Sequence, residues 1–156
     1  RRHGIMIQRK QTLFLLAAFA ATLLCLFLPI GLFEPAGMGA NTMLYNLGVR
    51  DANGMLAFTN MPLFIFLAFA GIIALTTVFL YRNRKLQAKL CAWCCVLHAA
   101  WYVYLAFCVF NQYAESGRFL PKIGACLPLI ACILCLMARR GVVADERLVK
   151  AADRIR

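Results

Sequence analysis

Acidic residues are scarce: the chain has 6 Asp and Glu in 156 residues, against 17 Lys and Arg. Only 15% of the side chains are charged, where a soluble globular domain carries about 25%. The long apolar runs contain no carboxylate, which argues against a proton-coupled exporter built on an intramembrane Glu. The loops between the runs contain no cysteine, which argues against a disulfide-generating oxidoreductase and against structural disulfides. No nucleophile elbow, phosphate loop or H-E-x-x-H zinc motif occurs. Short strands of alternating polarity, the signature of a membrane barrel, are also missing. What the chain has instead is 63% hydrophobic residues and a mean hydropathy of +0.76. A small soluble domain buries only part of its surface and cannot hide this much apolar area. The sequence is therefore read as one all-α integral membrane domain.

Four stretches, uncharged apart from Lys122 in the last, carry the fold: Thr12–Phe33, Pro62–Tyr81, Leu90–Phe110 and Phe119–Ala138. Each has about 20 residues, enough to cross roughly 30 Å of hydrocarbon at 1.5 Å per residue. Backbone groups in lipid must be satisfied within the segment, so all four are expected to be helices. Lys122 is expected to snorkel from the first turn of the fourth. The first run is too long for the core of a signal peptide and no clear A-x-A site follows, so it reads as a retained span. Pro29 and Pro128 are expected to bend the first and fourth spans.

The basic residues set the orientation. Arg1, Arg2, Arg9 and Lys10 precede the first span. Arg82, Arg84, Lys85 and Lys89 lie between the second and third. Arg139, Arg140, Arg147, Lys150, Arg154 and Arg156 follow the fourth. The opposite side keeps only Arg50, Arg118 and Lys122. The positive-inside rule then predicts that both termini are cytoplasmic in a bacterial inner membrane. The charge of +11 reads as topology signal plus attraction to anionic inner-leaflet lipid, with no nucleic-acid motif beside it.

The outer loop 34–61 contains two runs with β character, Thr42–Val49 and Met55–Phe58, around the turn signal Asn53-Gly54. These predict a small hairpin resting on the ends of the spans, since an isolated hairpin is marginal in water. The tail 139–156 predicts a short amphipathic helix. Gly141 is expected to end span four. Asp145 and Glu146 suit a helix start and Arg154 a helix end. Ala144, Leu148, Ala151 and Ile155 recur at helical spacing, and Glu146 precedes Lys150 by four. The expected arrangement docks this tail on the inner loop 82–89 or lays it on the inner leaflet.

One group of side chains suggests chemistry. Cys91, Cys94, Cys95 and His98 open the third span, and Cys132 and Cys135 lie near the end of the fourth, at a similar depth. Thiolates and imidazole suit zinc, copper(I) or an iron–sulfur cluster, so Cys91, Cys94, His98, Cys132 and Cys135 are the metal candidates. The competing reading is packing. Cys91, Cys95 and Ala99 form a stripe of small residues, as do Ala17, Ala21 and Cys25, and Gly124, Pro128 and Cys132. Small residues at this spacing let membrane helices approach closely, and buried Cys behaves as a small hydrophobe. We favour packing, with no metal and no cofactor. His98 is the one strongly polar titratable residue deep in a span, which makes it a functional candidate. A neutral His98 could equally hydrogen-bond a neighbouring helix.

Three segments carry a resemblance: Met6–Leu16, Tyr81–Cys91 and Ala144–Arg156. Together they resemble the domain-of-unknown-function 4293 family of small bacterial four-span membrane proteins. The family start would fall at Met6, so Arg1 to Ile5 would be either an upstream extension or residues foreign to the native chain. The resemblance implies the same inner-membrane architecture and supplies no activity. It places Asn83, Arg84, Lys85, Gln87, Asp145, Glu146, Asp153 and Arg154 at the cytoplasmic face. The Cys/His group is outside the pattern. The sequence thus predicts a non-catalytic interaction or accessory subunit. Its contact residues would be Arg84, Lys85, Gln87, Asp145, Glu146, Leu148, Asp153 and Arg154. Its partners would be the bilayer, anionic lipids, and another membrane protein or a second copy of itself. The alternatives are a metal- or haem-binding redox protein centred on His98 and a small transporter, which the apolar spans support poorly.

Overall fold

The computed structural model describes residues 2–58, 60–80 and 82–155, without the side chains of 2–9 and 116. Arg1, Tyr81 and Arg156, and the side chains of Arg2 and Arg9, lie outside the described set. The helices are α1 (Arg2–Phe27), α2 (Met61–Phe79), α3 (Arg84–Phe107) and α4 (Ile123–Ile155). All four contain a stretch long and apolar enough to cross a membrane. Each packs on two others: α1 on α2 and α4, and α3 on α2 and α4. A π-helical turn, Cys108–Gln112, extends α3.

Between the helices lies a small antiparallel sheet built from β1 (Gly31–Glu34), β2 (Thr42–Leu44), β3 (Val49–Arg50), β4 (Leu56–Ala57) and β5 (Arg118–Pro121). Its order is β4-β3-β2-β1-β5. The expected hairpin is met in part: the first run splits into β2 and, after a turn, β3, and the hairpin around Asn53-Gly54 is β3–β4, with Val49 opposite Ala57 and Arg50 opposite Leu56. Its turn is closed by the Asp51 carboxylate, which accepts from the backbone N–H groups of Asn53 and Met55. Gly54 sits there at φ +82°, the left-handed region that L side chains avoid.

Two of the predicted spans are shorter than the apolar runs that suggested them. α1 stops at Phe27, so Pro29 terminates the helix and does not bend it. Gly31–Glu34, the end of the first run, is strand β1. The fourth helix starts at Ile123, and Phe119–Pro121 of that run belong to β5, with Lys122 just before the helix. β1 and β5 pair with each other, Leu32 opposite Leu120 and Phe33 opposite Phe119. A buried strand is as apolar as a span, so hydropathy alone cannot separate them. The third helix starts earlier than expected, at Arg84, because the Asn83 side chain caps it by accepting from the Leu86 N–H.

The core changes character along the helices. At the sheet end Phe33, Leu44, Leu63, Leu67, Trp101 and Leu105 pack with Cys25 and Ile30. Asn46 fastens the sheet to the helices. It accepts from Trp101 Nε1 at 2.8 Å and donates to the Cys25 carbonyl at 2.7 Å. The middle is made of small side chains, namely Ala18, Ala21, Ala74, Cys94, Ala131 and Cys135. Small residues there bring the backbones close, as the packing reading requires. The buried stripe of α3 runs Cys91, Cys94, His98, Trp101. Cys95, assigned to the stripe from its spacing, is only half-buried, because the stripe alternates steps of three and four.

Pro128 lies inside α4 as expected, and its neighbours satisfy the groups it releases. The Gly124 carbonyl, deprived of its helical donor, accepts from the Cys25 thiol at 3.0 Å. The Tyr102 hydroxyl accepts from the Leu129 N–H at 2.9 Å and donates to the Ala125 carbonyl at 2.5 Å, replacing the next rung of the helix.

Candidate functional site

Three polar residues of the resemblance, Arg84, Gln87 and Asp145, converge at the other end of the helices, where α4 runs on past its neighbours. Gln11 of α1 and Asp145 of α4 are both almost wholly buried, at 6% and 8% exposure. Gln11 Nε2 donates to Asp145 Oδ2 at 3.0 Å. Arg84 Nη1 reaches the Asp145 backbone carbonyl at 3.4 Å. Gln87, also buried, donates to the Thr77 carbonyl at 3.2 Å. One polar layer thus joins all four helices through Gln11, Thr77, Arg84, Gln87 and Asp145.

Gly141 makes room for that layer. A Cβ at this position would stand 3.0 Å from Gln11 Nε2 and 3.1 Å from its Cγ. This corrects the reading of Gly141 as a helix stop: it lies inside α4, which runs unbroken from Ile123 to Ile155. The glycine serves a close approach, and α4 is one rod of about 50 Å where a span plus a separate short helix was expected.

The docking expected between tail and inner loop is confined to the root of the tail. Asp145 and Arg84 meet, though through the aspartate's backbone. Glu146 pairs instead along its own helix with Lys150 at 3.5 Å, the i,i+4 pair expected from the sequence. Beyond it, every residue from Arg147 to Ile155 is exposed. Leu148 is 64% exposed and Ile155 88%, so the apolar stripe does not rest on the loop. Lys85, Asp153 and Arg154 are likewise exposed. The sequence reading missed Gln11 and Thr77. The available signal was a polar side chain at the edge of an apolar run, on the face that elsewhere bears Leu15 and Ala18.

His98 is buried between α1 and α3. Its Nδ1 lies 2.6 Å from the Cys94 carbonyl and its Nε2 3.2 Å from Thr22 Oγ1. A carbonyl can only accept, so the proton belongs on Nδ1 and Nε2 is left as the acceptor of a neutral ring. The Thr22 oxygen also lies 2.9 Å from the Ala18 carbonyl, and its one proton serves either that carbonyl or Nε2, so the contact to Nε2 is what ties the histidine to α1. The Cys94 thiol points to the Ala70 carbonyl and the Cys95 thiol to that of Cys132. Among the described residues, no three or more His, Cys, Asp or Glu side chains gather as a metal ion requires. Cys91, Cys94, His98, Cys132 and Cys135 therefore lie at neighbouring depths without forming a coordination sphere.

Four helices of spanning length around a small-residue core, closed at one end by a sheet, define a multi-pass membrane protein. The chain belongs to the family described as domain of unknown function (DUF4293), whose model matches residues 7–155. No curated protein matches it.

Proposed function

We propose that the protein is a non-catalytic interaction subunit of the bacterial inner membrane, with both termini cytoplasmic, and that the free end of α4 is its contact element. One observation carries this reading. Nine consecutive residues, Arg147–Ile155, stay helical while none of them is buried against the rest of the chain. They extend about 14 Å past Glu146. Short helices in water draw most of their stability from packing, so a tail this apolar on one side suits a partner surface. Exposed Lys10, Arg82, Lys85, Lys89, Arg139 and Arg140 surround its base. At the cytoplasmic surface such a belt attracts anionic headgroups, at about 1 kcal/mol per cation. The polar layer of Gln11, Arg84 and Asp145 then fixes where the tail leaves the membrane.

The test is truncation after Glu146. We expect the shortened protein to insert and fold as before, and cells carrying it to behave as though the whole protein were missing. Truncated cells indistinguishable from those with the full chain would refute the proposal.

A further inference from the structure

A second site lies within the spans, independent of the tail. α3 and α4 pack on each other and bring cysteines of both helices to one depth. The Cys95 thiol is 3.7 Å from the Cys132 carbonyl oxygen, and the Cys95 and Cys132 side chains meet across the interface. Small residues permit this approach: Cys94 of α3 and Ala131 and Cys135 of α4 share one core cluster, and Cys95 packs against it. A disulfide needs Cα atoms about 4.4–6.8 Å apart, a spacing that two helices reach only where their contact residues are this small.

Access singles out this pair. Cys25, Cys91, Cys94, Cys108 and Cys135 are buried, whereas Cys95 and Cys132 are half-buried at the rim of the interface. Cys126 is exposed, but it stands about 240° round α4 from Cys132. Leu129 and Leu136, one turn to either side of Cys132, are exposed and apolar, so the rim faces lipid. Cys132 is seven residues before Arg139, about 10 Å below the basic edge, which keeps water-soluble oxidants away. An apolar surround disfavours charged products, so the two thiols must give up protons and electrons together. A quinone dissolved in the bilayer takes both. Two S–H bonds break and one S–S bond forms, while two protons and two electrons pass to the quinone oxygens. The products are a disulfide and a quinol, with no net charge left in the hydrocarbon.

We infer that Cys95 and Cys132 are a redox pair that a membrane quinone oxidises to a disulfide, stapling α3 to α4. The test uses the full-length protein in phosphatidylethanolamine–phosphatidylglycerol vesicles containing decylubiquinone, a fully substituted quinone that cannot alkylate a thiol. Non-reducing peptide mass analysis should find a crosslink joining Cys95 to Cys132, with one quinol formed per disulfide. Cys95→Ala and Cys132→Ala should each lose both the crosslink and the quinol. Alanine at either position is small enough to keep the helices in contact, and the unfolding midpoint without quinone checks that the variants fold. Thiols that all stay free in the wild type, a crosslink that persists in Cys95→Ala, or one formed equally well by a charged oxidant confined to water would overturn the inference.

Discussion

Replacing Gln11 by Leu is the most informative perturbation of the polar layer. The two side chains are similar in size, so packing against Gly141 is preserved and only the donor to Asp145 is lost. Asp145 is 8% exposed, and Gln11 donates to its carboxylate at 3.0 Å. A hydrogen bond to a charged group contributes about 1.5–3 kcal/mol, and an unsatisfied buried charge costs at least as much. Hydrogen bonds between membrane helices average only about 0.6 kcal/mol, because the unfolded chain in the membrane also finds partners. The charge on Asp145 places this bond above that average, and we expect a loss of about 2 kcal/mol. The double variant Gln11→Leu/Asp145→Leu should be less damaging than the two single changes added together, since removing both partners leaves nothing unsatisfied. Reversible unfolding in mixed micelles of the wild type, both single variants and the double variant measures this as a thermodynamic cycle. Strict additivity would refute the reasoning, because it would mean that the two groups do not depend on each other.

Three further predictions follow from the same contacts. Gly141→Leu should destabilise by about 1–3 kcal/mol through overpacking against Gln11, seen as a lower unfolding midpoint, and Gln11→Ala in the same chain should recover part of that loss, which a backbone-conformational role for the glycine would not allow. Tyr102→Phe should cost about 1–3 kcal/mol, because Leu129 N–H and the Ala125 carbonyl lose the hydroxyl that bridges them, and amide exchange next to Pro128 should quicken. Reporter fusions after Asp153 and within 37–53 should report cytoplasm and periplasm respectively, and the reverse pattern would overturn the proposed orientation.

Much of this architecture is legible in the chain because membrane helices are constrained by length and charge. Twenty apolar residues have few other uses, and Asn53-Gly54 marks the hairpin by itself. β1 and β5 were hidden for a physical reason. Phe33 is buried and Leu32, Phe119 and Leu120 are half-buried at the edge of the core, and all four continue the apolar runs of α1 and α4. The signals that mark the breaks are Pro29 and Pro121. Gly141 misleads in the opposite sense, since a glycine followed by Asp and Glu looks like one helix ending and another starting. Only the position of Gln11, 130 residues earlier, reveals that the glycine is there for space. The five metal candidates share a depth, as their spacing indicates. What the spacing does not carry is the direction of each thiol, and Cys94 and Cys95 turn to different helices.

The central claim is that the exposed end of α4 meets a partner in the cell. Photo-crosslinking in intact cells from position 148 tests it most directly, with the lipid-facing position 133 as the reference. The account predicts a discrete adduct at 148, to one protein or to anionic phospholipid, that is absent at 133 and lost when Ile155→Asp disrupts the apolar stripe. Identical, diffuse labelling from both positions, unaffected by Ile155→Asp, would contradict it.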